Sequence, residues 1–212
     1  MKMIRQQLIS LTLILFIFSC KEKEKQPTAK NDIINDSVMY ARPENTGNPY
    51  ATVDISPMDL SYYPVDYPKL KMTNNSIPPP VVRVIYSRPH LQGRELFHNV
   101  LKYGESWRLG ANESTEIQFY QDVTIQDKKI KAGRYTLYCI LGPDKWTIVL
   151  NSNLDSWGLS QDTAKDIQRS EIPVTHGNPT LEYFTMVFEK TTTGADLIMA
   201  WDDVMAKLPI SF

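Results

Sequence analysis

The sequence predicts an all-β fold, an antiparallel β-sandwich of about eight to ten strands with at most short helical turns. Three observations predict it. From Val81 onward, short stretches rich in β-branched and aromatic residues recur at regular spacing, divided by polar turns. Several of these stretches alternate apolar and polar residues with the period of a half-buried strand. No long segment carries the apolar period of an amphipathic helix.

The strands follow in order. Val81–Ser87 (VVRVIYS) and Thr115–Gln121 (TEIQFYQ) are the first two, and in the second Ile117 and Phe119 alternate with Glu116, Gln118 and Tyr120. The run VTIQDKKIKAGRYTLYCIL predicts a short strand, a turn near Asp127-Lys128, a bend at Gly133 and a long strand. Gly142–Lys145 (GPDK) places proline where its fixed φ suits a type I turn and leads into WTIVLN. LEYFTMVFEK, GADLIMAWDD and MAKLPISF predict a closing three-stranded meander, with Asp202-Asp203 as a turn. Arg94–Leu101 (RELFHNVL) supports at most two helical turns.

The first residues predict export. Lys2 and Arg5 precede an apolar run, Leu8–Phe18, broken only by Ser10 and Thr12. Such a run is too short to span a hydrocarbon core of about 30 Å as a helix and reads as a signal peptide. Ile17-Phe18-Ser19-Cys20 resembles a bacterial lipobox, so residues 1–19 are expected to be cut away and Cys20 to be lipidated. Two or more acyl chains hold a protein on a membrane where one is marginal, because each buried CH₂ adds about 0.8 kcal/mol. The membrane is therefore an expected partner through Cys20, with the cell envelope, at the outer membrane, as the location.

Charge and cysteine content narrow the function further. Loss of Lys2 and Arg5 with the leader moves the formal net charge from −1 to −3. Nucleic acid, which calls for a basic footprint, is not an expected partner. Cys139 is the one thiol left after Cys20, in the apolar run RYTLYCIL, and reads as buried and inert.

Residues 20–40 are polar and alternate in charge, as a solvated tether does. Residues 41–80 hold most of the fourteen prolines together with Tyr50, Tyr62, Tyr63 and Tyr67, following Tyr40. This density rules out regular helix and central strands. The aromatic content predicts an extended segment packed against the main domain, residues 81–212.

Strong catalytic patterns are missing, and no metal or cofactor is expected. Gly104-Glu105-Ser106 begins like a nucleophile elbow, but Arg108 stands where glycine is required. His90, His98 and His176 lack the close spacing of a paired-histidine zinc motif. Asn151, Asn153, Asp155 and Asp162 echo an EF-hand loop, yet Ser156 occupies the glycine position. What remains is a polar cluster: Arg88 held extended before Pro89, Arg94 after the Gly93 turn, and Arg108, Asn112 and Glu113 around Gly110-Ala111-Asn112. An ion pair between Glu113 and Arg108 or Arg94 would fasten a corner; left open, the same groups would form a pocket.

The stretch YSRPHLQGRELFHNVLKYGESWRLGANESTEIQFYQDVTI, then KAGRYTLYCI, WTIVLN, Trp157-Gly158 and AWDD, resembles the domain of unknown function 2911 family of Bacteroidota. The likeness runs from about Val82 to Phe212 and is carried by Arg88, Pro89, Gly93, Arg94, Tyr103, Gly104, Trp107, Arg108, Gly110, Ala111, Asn112 and Glu113. It implies an exported β-rich domain and brings no activity or substrate.

The leading expectation is a lipid-anchored, non-catalytic binder of a small polar ligand, such as a glycan, or of an envelope partner. Its candidate ligand residues are Arg88, His90, Arg94, Trp107, Arg108, Asn112 and Glu113. The alternatives are an envelope hydrolase using Glu113 with Arg108 or His90, and a purely structural envelope component.

Overall fold

The computed structural model describes residues 56–212. The expected signal peptide, the tether, Cys20 and the first part of the 41–80 segment lie outside the described residues. The described residues all belong to one compact unit. It carries every buried apolar residue described, so it has its own core and is the part able to fold alone.

The domain is antiparallel β throughout. The strands are β1 (Met58–Tyr63), β2 (Val82–Ser87), β3 (Ser106–Trp107), β4 (Thr115–Phe119), β5 (Val123–Ile125) and β6 (Lys128–Ile130). They continue with β7 (Gly133–Ile140), β8 (Lys145–Asn151), β9 (Asp166–Thr175), β10 (Leu181–Lys190), β11 (Gly194–Asp202) and β12 (Val204–Ser211). Three of the twelve are only two or three residues long, which is why the count exceeds the expected eight to ten.

The main path runs β1-β2-β4-β7-β8-β9-β12-β11-β10. Strand β9 joins the two faces: Asp166 and Gln168 through Pro173 pair with β8, and Val174 and Thr175 pair with β12. At the far side His90 bridges Tyr183, the Phe184 N–H donates to Pro89 O (2.9 Å), and the Leu91 N–H donates to Glu182 O (3.0 Å). The expected sandwich is thus curled until its ends nearly meet, as a barrel does to remove its edges.

Why these strands form is visible in their burial. β4 buries Thr115, Ile117 and Phe119 and turns Glu116 and Gln118 outward, while β11 and β12 alternate in the same way. Leu197, Met199, Trp201, Leu208 and Ile210 consequently line one interior with Val82, Val84 and Ile117. Each large apolar side chain fully buried contributes about 1.5–3 kcal/mol. Trp107 packs against Phe184 at 4.7 Å, Trp201 at 5.8 Å and Trp146 at 6.2 Å, tying the two faces together.

The proline-rich segment differs from expectation. Met58–Tyr63 is a strand, and it ends the main path, where prolines on either side cost no central ladder bonds. A short helix, α1 (Tyr67–Thr73), follows, with Pro68 in its first turn, where a missing N–H removes no intrahelical bond. Leu96–Val100 makes a single wide helical turn, within the expected limit.

Candidate functional site

The cluster predicted from the sequence assembles at the end of the barrel where β2 finishes and β4 starts. Its organising atom is the Ser87 hydroxyl oxygen. It accepts the backbone N–H of Ala111 at 2.6 Å and of Asn112 at 3.0 Å. Trp107 Nε1 donates to Gly110 O (3.1 Å), Thr115 Oγ1 donates to Leu109 O (2.6 Å), and Arg108 donates to Ala111 O. Nearly every polar group of the corner is therefore engaged with the main chain, as buried turns require.

The backbone differs from the expected turn. The residue with positive φ is Leu109 (φ 55), not Gly110 or Asn112. A left-handed leucine costs about 1–2 kcal/mol, and the complete burial of its side chain offsets that. Gly110 is needed for a different reason: a Cβ there would lie 2.8 Å from Ser87 Oγ.

The other candidates act as staples. Arg88 donates to Phe184 O and Thr185 Oγ1 and pairs with Asp59 Oδ2, all at 3.3 Å, with its guanidinium 5.7 Å from the Tyr183 ring centre. It joins β1 to β10 across the seam. Arg94 donates to Leu91 O (2.8 Å) and His90 O (2.7 Å). His90 stacks on Tyr183 and lies 3.6 Å from Glu182. Asn112 Nδ2 donates to Ser56 O (3.1 Å), and Trp107 is a core residue with no open face.

Glu113 stands apart. It is exposed, and no hydrogen bond or ion pair joins it to Arg108, Arg94 or His90. The expected Arg–Glu clasp does not form; hydrogen bonds to the main chain fasten the corner instead.

The loop between β8 and β9 docks on this corner, a contact that no local sequence signal announces. The Ser114 N–H donates to Ser156 O (3.4 Å), and the Ser114 and Ser156 hydroxyls lie 3.0 Å apart. Gly158, at φ +77, presses on the corner so closely that a Cβ would sit 3.0 Å from Arg108 Cβ. Asn151 Nδ2 donates to Asp162 O (2.9 Å) and Asp166 Oδ1 (2.7 Å), while Asp155 pairs with Arg134. The amide and carboxylate with EF-hand-like spacing are thus employed in closing this loop.

The loop presents Trp157, 55% exposed, beside the corner. Trp157 and Glu113 each adjoin one end of the Ser114–Ser156 hydrogen bond. The other three tryptophans are buried. The Trp157-Gly158 pair was visible in the sequence, but its exposure is a product of tertiary docking.

Fold and corner together define a small antiparallel barrel-like module whose signature residues build a rigid, hydrogen-bonded turn. The chain belongs to the family of proteins of unknown function DUF2911, whose model matches residues 68–210. No curated protein and no solved structure matches it.

Proposed function

We propose that the protein is a lipid-anchored module of the cell envelope, held at the outer membrane through Cys20, that binds carbohydrate without catalysis on the surface formed by Trp157 and Glu113. The observation that carries the ligand reading is an exposed tryptophan and an exposed carboxylate, the latter with no hydrogen bond or ion pair among the described residues, each one residue along the chain from the Ser114–Ser156 hydrogen bond. A sugar offers an apolar C–H face and a rim of hydroxyls. An aromatic plane suits the first and a carboxylate acceptor the second. Binding by rigid groups also loses little conformational entropy.

The non-catalytic reading is supported by how the polar groups are used. General acid–base chemistry needs a donor and acceptor within reach of one substrate, whereas Arg108 and His90 are held by neighbours other than Glu113. The anchor reading is supported by the leader and the Ile17–Cys20 motif.

Acrylamide quenching tests the ligand reading, because Trp157 is the only exposed tryptophan of the four. Soluble peptidoglycan fragments and envelope oligosaccharides added to Tyr40–Phe212 should protect the quenchable fraction. Glu113→Gln should weaken that protection. Unchanged quenching with both probes would refute the reading. For the anchor, Cys20→Ser should abolish lipid labelling and membrane retention of the full chain; normal processing of that variant would refute it.

A further inference from the structure

α1 is a helix with no buried residue. Its outward side carries Pro68 and Met72, one turn apart, with Lys69 between them. Met72 is 87% exposed and Val65, just before the helix, 61%. Beside them lies a groove of about 580 Å³ between the start of α1 and the end of β10. Tyr63, Pro64, Val65 and Pro68 form its apolar walls, and Lys69 and Lys190 stand at it with Asp66.

The two ammonium groups are available. Lys71 donates to Asn75 O (2.7 Å) and Ile77 O (3.3 Å) and so closes the helix end. Lys69 Nζ and Lys190 Nζ make no hydrogen bond or ion pair among the described residues. Exposed apolar side chains beside two lysines without an acceptor, which outnumber the one carboxylate at the groove, Asp66, match a bilayer with anionic headgroups. There, short apolar side chains enter the headgroup boundary and lysines reach phosphates.

Position on the fold permits this. In the β1–β2 pair Met58 faces Ser87 and Tyr63 faces Val82, so the Ser87 corner and α1 sit at opposite ends of β1. Six residues of strand separate them by about 20 Å. Described chain enters at Ser56, at the corner end, where Asn112 binds it. The thirty-six residues from Cys20 to Ile55 can reach at most about 120 Å, ample to run from a membrane under α1 to the far corner.

We infer that Val65, Met72, Lys69 and Lys190 form a membrane-docking surface, which rests α1 on an anionic bilayer and turns the Trp157 corner away from it. The inference rests on the reading of Cys20 as an anchor. A tether raises the local concentration of the bilayer to about millimolar, so individually weak contacts suffice to set orientation.

The test is co-sedimentation of Tyr40–Phe212, which lacks Cys20, with vesicles of phosphatidylcholine with or without phosphatidylglycerol. Binding is expected to the anionic vesicles, to fall with salt, and to drop about fivefold for each of Lys69→Gln and Lys190→Gln. Met72→Ser, at a position 87% exposed, should weaken binding with unaltered melting. No sedimentation with anionic vesicles, or sedimentation indifferent to all three substitutions, would overturn the inference. So would self-association of the soluble domain that Met72→Ser abolishes, since that would assign the surface to a second copy. Membrane retention of the full chain reports on Cys20 independently, so a failed dock and a failed anchor are told apart.

Discussion

Ser87 Oγ holds the backbone N–H groups of Ala111 and Asn112 at 2.6 and 3.0 Å, across twenty-four and twenty-five residues of chain. This contact makes the end of β2 the seat of the whole 108–114 corner. The corner in turn is the bed on which the Trp157 loop lies.

Removing that hydroxyl should therefore loosen the corner. Ser87→Ala leaves two N–H groups without their acceptor and is expected to cost about 1–3 kcal/mol, read as a lower denaturant midpoint. Gly110→Ala should act in the same direction, because its Cβ would meet Ser87 Oγ at 2.8 Å. Equal stability of Ser87→Ala and the native domain would remove Ser87 from the account.

The two residues of the loop tip should separate in effect. Trp157→Ala removes an exposed side chain and is expected to change stability by less than about 0.5 kcal/mol. Gly158→Ala imposes positive φ on alanine and crowds Arg108 and Ser114, at a cost of about 1–3 kcal/mol. Urea titration of both variants checks the contrast.

Alkaline pH should expose two buried tyrosines. Burial raises Tyr86 to about 12, and burial with the adjoining Asp166 carboxylate raises Tyr138 to about 12, from 10.0. Folded tyrosine then holds its proton where unfolded tyrosine has lost it. The stabilisation is complete below pH 10 and is lost as pH rises through about 12. Stability measured across that range should fall, and less steeply in Tyr138→Phe, whose hydroxyl donates to Asp166 at 3.0 Å in the native protein.

The free thiol offers a probe of opening. Cys139 is fully buried, and burial pushes its pKa well up. The thiolate is the reactive form. Labelling by a thiol reagent should await unfolding and track denaturant concentration; rapid labelling of native protein would contradict the packing described.

Much of the fold was legible because it repeats a simple physical pattern. LEYFTMVFEK, a strand by its composition, coincides with β10, and the two strands after it in the chain match their expected stretches to within a residue. β9 is not legible in the sequence: six of the ten residues of DIQRSEIPVT are polar, it buries little beyond Ser170 and Ile172, and it contains Pro173. α1 was obscured by the prolines around it, although Pro68 is placed where helices accept proline. The cluster itself was legible as residue types close in sequence. Its wiring was not, because Ser87 and Gly158 reach it only through the fold, and because the positive φ fell on Leu109, a residue no local rule would nominate.

Carbohydrate recognition through Trp157 can be read on an oligosaccharide array probed with labelled Tyr40–Phe212. Retention of at least one glycan class by the native domain, lost in Trp157→Ala at unchanged melting temperature, is the predicted result. No retention on any glycan, or retention identical in Trp157→Ala, would contradict it.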